Sequence, residues 1–180
     1  MPGDHIADQI ALQNAIRDYF SWDVADDLSS AQQMGQTLVG GYELDLGAYS
    51  RIGIVGAAVE TMAVENSLAE ILIVADGSLG AIEDISRVAL LVSDADGGPH
   101  IQRAVENRIP IALHAHGDNV EEWKRFSATF SDNYPLILTH QTPGELEGMV
   151  NVGGFTDGDR AICLALACGA PPTSIELIGF

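Results

Sequence analysis

The sequence is short of positive charge. Lys124 is its only lysine, and 8 basic residues face 26 acidic ones in a chain of 180, for a formal net charge of −18. Nucleic acid and anionic lipid surfaces both require a basic footprint, so this surface excludes them as partners. The bias is that of proteins from a salt-rich cytoplasm, where abundant cations screen self-repulsion. An anionic substrate would need a local remedy here, and a bound cation is the simplest one. Long apolar runs are absent too: no stretch approaches the roughly 18 to 20 residues that a membrane helix needs. The opening Met1-Pro2-Gly3-Asp4-His5 carries no basic residue ahead of an apolar block, which argues against a secretory signal and for a cytoplasmic protein. Cysteine is scarce. Cys163 and Cys168 lie five apart in one helical run, a poor disulfide geometry, and read as small core residues. Two catalytic signatures are missing: no Gly-x-x-x-x-Gly-Lys-Ser/Thr phosphate loop and no Gly-x-Ser-x-Gly elbow occur.

What the chain does have is apolar bulk, 47% of its residues, enough for one core. Ile6, Ile10, Ile16 and Phe20 fall near a 3.6-residue period, and a second helix is expected from about Val24 to Val39, before Gly40-Gly41. These helices read as an N-terminal extension over residues 1–47. From Arg51 the rhythm changes. Short runs rich in Ile and Val recur at Ile52 to Val55, Ile71 to Val74, Val88 to Val92, Ile109 to Leu113, Leu136 to Leu138 and Ile175 to Ile178. They lack apolar/polar alternation, as strands covered on both faces of a parallel sheet do. Helices are expected between them at Pro99 to Asn107, Val120 to Phe130 and Asp159 to Cys168. The alternation predicts an α/β fold over residues 48–180: three layers, doubly wound, with a mostly parallel sheet. Ligands of such folds bind at the carboxyl ends of the strands.

The unusual residues follow that rule. Gly56-Ala57-Ala58 after the first strand permits close backbone approach, and Asp76-Gly77 follows the second. After the third come Asp94 and Asp96, two carboxylates two residues apart that can address one hard cation. A helix N-cap at Asp76 and a solvated turn at Asp94–Asp96 are the plain structural alternatives. After the fourth comes His114-Ala115-His116-Gly117-Asp118-Asn119, which packing does not explain. Two chemistries fit it: a borderline metal held for hydrolysis, or histidines donating to phosphate while Asp118 assists a metal. Gln141 and Thr142 follow the fifth strand. The densest polar cluster runs from Asn151 through Gly153, Gly154, Thr156, Asp157 and Asp159 to Arg160. Its glycines allow close approach, the following helix offers free N–H groups, and Arg160 is one of few cations able to grip phosphate. Thr156 or Asp157 capping that helix explains part of the cluster.

In order, Ala-Asp-Gly (75–77), Asp-x-Asp-Gly (94–97), His-Ala-His-Gly-Asp-Asn (114–119) and Gly-Gly-Phe-Thr-Asp-Gly-Asp-Arg-Ala (153–161) resemble the archaeal 6-hydroxymethyl-7,8-dihydropterin pyrophosphokinases. The resemblance runs from about Asp18 to the last residue. It implies a Rossmann-like fold akin to the thiamine pyrophosphokinase catalytic domain. It also implies Mg²⁺ and transfer of diphosphate from ATP to a pterin hydroxymethyl group, releasing AMP, in tetrahydromethanopterin or folate biosynthesis. By that resemblance Asp94, Asp96 and Asp118 are the metal acids, and Asp76 and Gly77 line the site. His114, His116 and Asn119 contact phosphate or nucleotide, while Gln141, Thr142 and the 151–160 loop complete the pocket. His116 or Asp118 would assist the hydroxyl proton, and Arg160 would stabilise charge. One departure is Gly56-Ala57-Ala58-Val59-Glu60, where relatives usually carry Gly-x-Gly-Pro-Ser-Leu. The alternatives are a hydrolase built on His114, His116 and Asp118, a diphosphokinase for thiamine or another heterocycle, and a nucleotide-binding module without catalysis. The oligomeric state is left open, a homodimer included.

Overall fold

Six strands form one sheet in the order β5-β4-β3-β2-β1-β6, every neighbouring pair parallel. They are β1 (Ile52–Val55), β2 (Ile71–Ala75), β3 (Val88–Ser93), β4 (Ile111–Ala115), β5 (Leu136–His140) and β6 (Ile175–Ile178). The helices are α1 (Pro2–Phe20), α2 (Val24–Thr37), α3 (Thr61–Asn66), α4 (Pro99–Glu106), α5 (Val120–Ser127) and α6 (Asp157–Ala167). This computed structural model describes residues 2–180, with side chains from residue 7 onward, so Met1 and the side chains of the predicted Ile6 and of His5 lie outside it.

The Ile/Val runs form the strands because both faces of the sheet are covered. Val55, Leu72, Val74, Leu91, Leu113 and Leu138 face one apolar cluster, while Ile52, Ile54, Ile73, Leu90, Val92 and Ala112 face the other. Helices α2, α4 and α5 pack on β3, β4 and β5, α5 burying Trp123 completely. Helix α6 packs on β1, β2 and β3. The expected α/β architecture with helices on both faces is what forms, and its sheet is parallel throughout.

Three local expectations change. The fourth strand starts at Ile111 rather than Ile109, because Arg108 sits at φ +53 and Pro110 brings no N–H to a ladder. Its far end instead takes in His114 and Ala115. Helix α3 was not foreseen, and between β2 and β3 the chain makes two short 3₁₀ turns, Asp76–Ala81 and Ile85–Arg87. Among the described side chains of α1 the buried positions are Gln13 and Arg17, four apart, whereas Phe20 is 54% exposed. The helix therefore presents a polar face inward, onto loops rather than onto the core.

The strand order places the site. From β1 the chain steps outward through β2, β3, β4 and β5, and α6 then carries it back to β6 on the other side of β1. The reversal lies between β1 and β6, where open α/β sheets commonly bind ligands. Here that crevice is filled by the chain itself. Gly56 N donates to Ile178 O at 2.8 Å and Ala58 N to Gly179 O at 2.9 Å. A Cβ on Gly56 would lie 2.7 Å from Gly179 O and 3.0 Å from the Phe180 ring.

Candidate functional site at the strand tips

The register of the sheet dictates the site. Ala75 pairs with Val92, and Ser93 with Leu113, so Asp76 and Asp94 leave the sheet beside one another, next to His114 near the end of β4. Left-handed backbone turns the acids toward one another: Asp76 has φ +39, and Ala95, between Asp94 and Asp96, has φ +76. Neither is glycine, and such conformations are held only where the surroundings over-determine them. As a result Asp76, Asp94 and Asp96 each bring an oxygen within 4.8 Å of the others, the one such metal-capable cluster among the described residues. The donors are all carboxylate oxygens, which suits a hard cation such as Mg²⁺ or Ca²⁺ rather than zinc.

The electrostatics point the same way. Burial first, then the charge of Asp94, pushes the Asp76 carboxyl up, against a hydrogen bond from Ser93. Desolvation, with Asp94 and Asp76 as negative neighbours, lifts Asp96 to about 6. Burial would also raise Asp94, but His116 outweighs it and Asp94 is held below the usual range. The acids thus repel one another, and a divalent cation would relieve that repulsion. The residues present fit such an ion.

Asp118 stands apart from this trio. Its Oδ1 lies 2.5 Å from His116 Nδ1, while His116 Nε2 lies 3.4 Å from Asp94 Oδ2, so the imidazole bridges two carboxylates. Burial favours the neutral ring, yet the two acids win and the His116 pKa is raised above its ordinary value.

His114 has a different character. It is fully buried, its Nδ1 2.9 Å from Thr139 Oγ1 and its Nε2 3.4 Å from Gln141 Oε1. Burial, with Arg160 as a positive neighbour, drives its pKa well below the ordinary histidine value. Asn119 is buried as well: Nδ2 donates to Asp94 O and His114 O, both at 2.8 Å, and Oδ1 accepts from His116 N. Both side chains hold the loops in register. Thr142 is buried with its Oγ1 2.8 Å from His140 Nδ1, and Gly77 lies against the Gly97 backbone.

The 151–160 loop is organised by its own polar groups. Asn151 Oδ1 accepts from Gly153 N, and Asn151 Nδ2 donates to Thr142 O. Thr156 and Asp159 form a reciprocal capping box at the start of α6. Gly153 and Gly154 take φ +85 and +80, and a Cβ on Gly154 would come within 2.6 Å of Arg160 N. Arg160 is 3% exposed. Its Nη1 donates to Asp157 at 2.5 Å, its Nη2 donates to Phe155 O at 3.1 Å, and its Nε is buried without a partner among the described residues. Burial and the nearby acid trio oppose Arg160 and hold Asp157 up at about 7.

A cavity of about 370 Å³ opens here. Asp94, His116, Asp118, Gln141 and Arg160 line it, all five expected from sequence; Gly56 does not. Gly117 and Phe155 line it as well, and the N-terminal segment, read as an extension, supplies Trp22 and Asp23 from the α1–α2 turn and Asp26 and Asp27 from α2. Asp27 is buried and accepts from Arg17 Nε, Gly117 N and Gln141 Nε2. Gln13 Nε2 donates to Gly154 O at 2.7 Å. The available signal was the run Tyr19-Phe20-Ser21-Trp22, three aromatics in four residues of an aromatic-poor chain.

No model of a known protein family matches the chain. It is similar to three curated archaeal proteins, each named 6-hydroxymethyl-7,8-dihydropterin pyrophosphokinase. Identity is 34% over 109 residues with the one from Pyrococcus furiosus, covering 60% of this chain and 44% of that protein. With the Methanocaldococcus jannaschii protein it is 35% over 100 residues, 52% of this chain and 40% of the relative. With that of Methanothermobacter thermautotrophicus it is 37% over 103 residues, 55% and 42% respectively. The matched region spans less than half the length of each relative. No helix among the described residues is long and apolar enough to cross a membrane.

Proposed function

We propose that the chain is a Mg²⁺-dependent diphosphokinase that transfers diphosphate from ATP to 6-hydroxymethyl-7,8-dihydropterin and releases AMP. The observation that carries the reading is the convergence of Asp76, Asp94 and Asp96 at the tips of β2 and β3, beside a cavity lined by Arg160. The names of the three archaeal relatives support the choice of acceptor.

The charge balance of the cavity explains why a cation is needed. Asp23, Asp26, Asp27, Asp94 and Asp118 line it against Arg160, so a polyphosphate meets a negative wall. Asp76, Asp94 and Asp96 would hold Mg²⁺, which when bound neutralises phosphate charge and polarises the group being transferred. Arg160, fixed by Asp157 and by Phe155 O, is a preset cation that needs no reorganisation. In the reaction the acceptor's hydroxyl oxygen bonds to the β-phosphorus and the bond from that phosphorus to the α–β bridging oxygen breaks. AMP carries off the bridging oxygen, and the hydroxyl proton passes to the Asp118–His116 pair. Most of the acceleration in such a transfer is positioning and electrostatics.

Buried His114, with both ring nitrogens within hydrogen-bonding reach of partners, does not join His116 and Asp118 in a ligand set, which disfavours a hydrolase built on those three. The test is incubation of the purified chain with ATP, Mg²⁺ and 6-hydroxymethyl-7,8-dihydropterin. Pterin-dependent AMP that disappears in Asp94→Asn is the expected result. ADP in place of AMP would overturn the proposal, and bound ATP without turnover would leave a nucleotide-binding module.

A further inference from the structure

One feature of the cavity lies outside the acid trio and the arginine. Phe20, Trp22 and Phe155 form a ladder of parallel rings: Phe20 and Trp22 stack at 4.9 Å between centroids and 16°, and Trp22 and Phe155 at 5.9 Å and 3°. Trp22 is 50% exposed and Phe155 37%, and both line the cavity. Large aromatic rings left half in water, on two segments far apart in sequence yet stacked parallel to within a few degrees, are not performing core duty. Trp123, fully buried beneath α2, shows where this chain puts a tryptophan for packing.

Three acids follow Trp22 at the entrance. Asp23 caps α2 through Ala25 N, and Asp27 is committed to Arg17, Gly117 and Gln141. Asp26 lines the cavity without such a duty among the described residues. Across the cavity, Arg160 keeps its buried Nε without a partner among the described residues and grips the carbonyl of Phe155 through Nη2. The aromatic wall and the cation are thus mechanically one unit.

We infer that the exposed side of the Trp22–Phe155 stack, with Asp26, is the recognition subsite for the acceptor heterocycle. The inference rests on the diphosphokinase reading and adds residues to it. A pterin is a flat ring system whose 2-amino group and N3–H form one edge with two parallel donors. A flat ring stacks on aromatic faces, and a paired donor edge matches a single carboxylate in bidentate fashion. The subsite lies on the N-terminal helices and the 151–160 loop, the phosphates' partners on β2, β3 and α6. An acceptor seated between them would point its hydroxymethyl arm toward the acids. The geometry makes Trp22 and Asp26 determinants of specificity rather than of phosphate chemistry.

The test compares Trp22→Leu, Trp22→Phe and Asp26→Asn with the wild-type chain in steady-state AMP release, varying pterin and ATP separately. Stacking of a base on an aromatic face is worth enough that Trp22→Leu should raise the KM for pterin by about tenfold or more, with the KM for ATP moving less than about twofold. Trp22→Phe should recover most of the loss, and Asp26→Asn should match Trp22→Leu in direction. An unchanged pterin KM in both Trp22→Leu and Asp26→Asn overturns the inference while leaving the reaction intact. A rise in the KM for ATP instead assigns the face to the nucleotide and also overturns it. If the wild-type chain makes no AMP, the functional proposal fails, and tryptophan fluorescence then decides the subsite separately. Quenching by 6-hydroxymethylpterin that Asp26→Asn abolishes upholds it; no quenching removes it.

Discussion

Asp27 Oδ2 accepts a hydrogen bond of 3.0 Å from Gln141 Nε2 across 114 residues of chain. Through Gln141 the bond reaches His114, and through Oδ1 the same carboxylate holds Gly117 N at 2.8 Å. Asp27 is therefore the post to which the tips of β4 and β5 are tied, and Arg17 is its counter-ion. Removing one partner of a buried ion pair strands the other charge, at a cost of about 3–5 kcal/mol. Arg17→Met and Asp27→Ala should each lose stability on that scale in chemical denaturation. The double variant should lose less than the sum of the two.

The trio and Asp118 are separable by cation binding. Asp76→Asn and Asp96→Asn should each weaken Mn²⁺ or Mg²⁺ affinity by about tenfold or more, a typical loss when a ligand's oxygen is removed. Asp118→Asn, whose carboxylate addresses His116 instead, should leave it within about threefold. Titration calorimetry of the four proteins distinguishes the trio from a set that includes Asp118.

Asp96 sets a pH signature. Its folded pKa, about 6, lies above the ordinary carboxylate value. The stabilising proton is present below the unfolded pKa and is lost as pH rises through the folded one. Relative to wild type, Asp96→Asn should therefore gain in melting temperature between pH 4 and pH 7 in metal-free solution. Saturating Mg²⁺ should shrink the gain, because the ion takes over the proton's role. A constant offset across that range would count against mutual repulsion in the trio.

The two strand-tip histidines should titrate in opposite directions from the ordinary value. His114, buried beside Arg160, should stay neutral well into the acid range, whereas His116, between Asp94 and Asp118, should hold its proton above it. Nitrogen-resolved NMR of the imidazoles over pH 4 to 9 reads both. The sign for stability also differs. His114 contributes most above the unfolded histidine pKa and loses its contribution as pH falls; His116 contributes most below it and loses its contribution as pH rises.

Gly154 has no tolerance for a side chain. Its φ of +80 and the 2.6 Å approach to Arg160 N mean that Gly154→Ala must displace the start of α6. A destabilisation of about 1–3 kcal/mol is expected from backbone strain. AMP release should fall further than stability does, since Arg160 moves with the loop.

The strands were legible because Ile and Val runs without alternation have few other uses, but runs apolar on both faces look the same in any register. The tips stood out because Asp94-Ala95-Asp96 and His116 are poor packing material, whereas His114, expected to contact phosphate or nucleotide, is buried against Thr139 and Gln141. What stayed hidden was direction. Asp118 sits in the same hexapeptide as His116, and sequence gave no reason to exclude it from the trio, whereas Asp76 joins because the Ala75–Val92 register places it there. The role of α1 was hidden for a related reason. Periodicity looks for apolar stripes, but Gln13 and Arg17 are buried against polar loops. The β1–β6 crevice reads as a ligand site from its glycines, yet Gly179 and Phe180 occupy it.

The polar underside of α1 has a kinetic meaning. A helix seated by Gln13 on Gly154 O and by Arg17 on Gln141 O and Asp27 is held through polar groups that water also satisfies, and neither apolar cluster of the sheet includes its described side chains, so its displacement would leave the sheet intact. A space of about 370 Å³ is near the lower end for one small ligand, and the proposed reaction needs two reactants at once. Trp22 and Asp23 follow α1 directly and line that space, so displacement of the helix would carry them with it and widen the opening. Turnover would then be paced by the coming and going of this helix rather than by bond making.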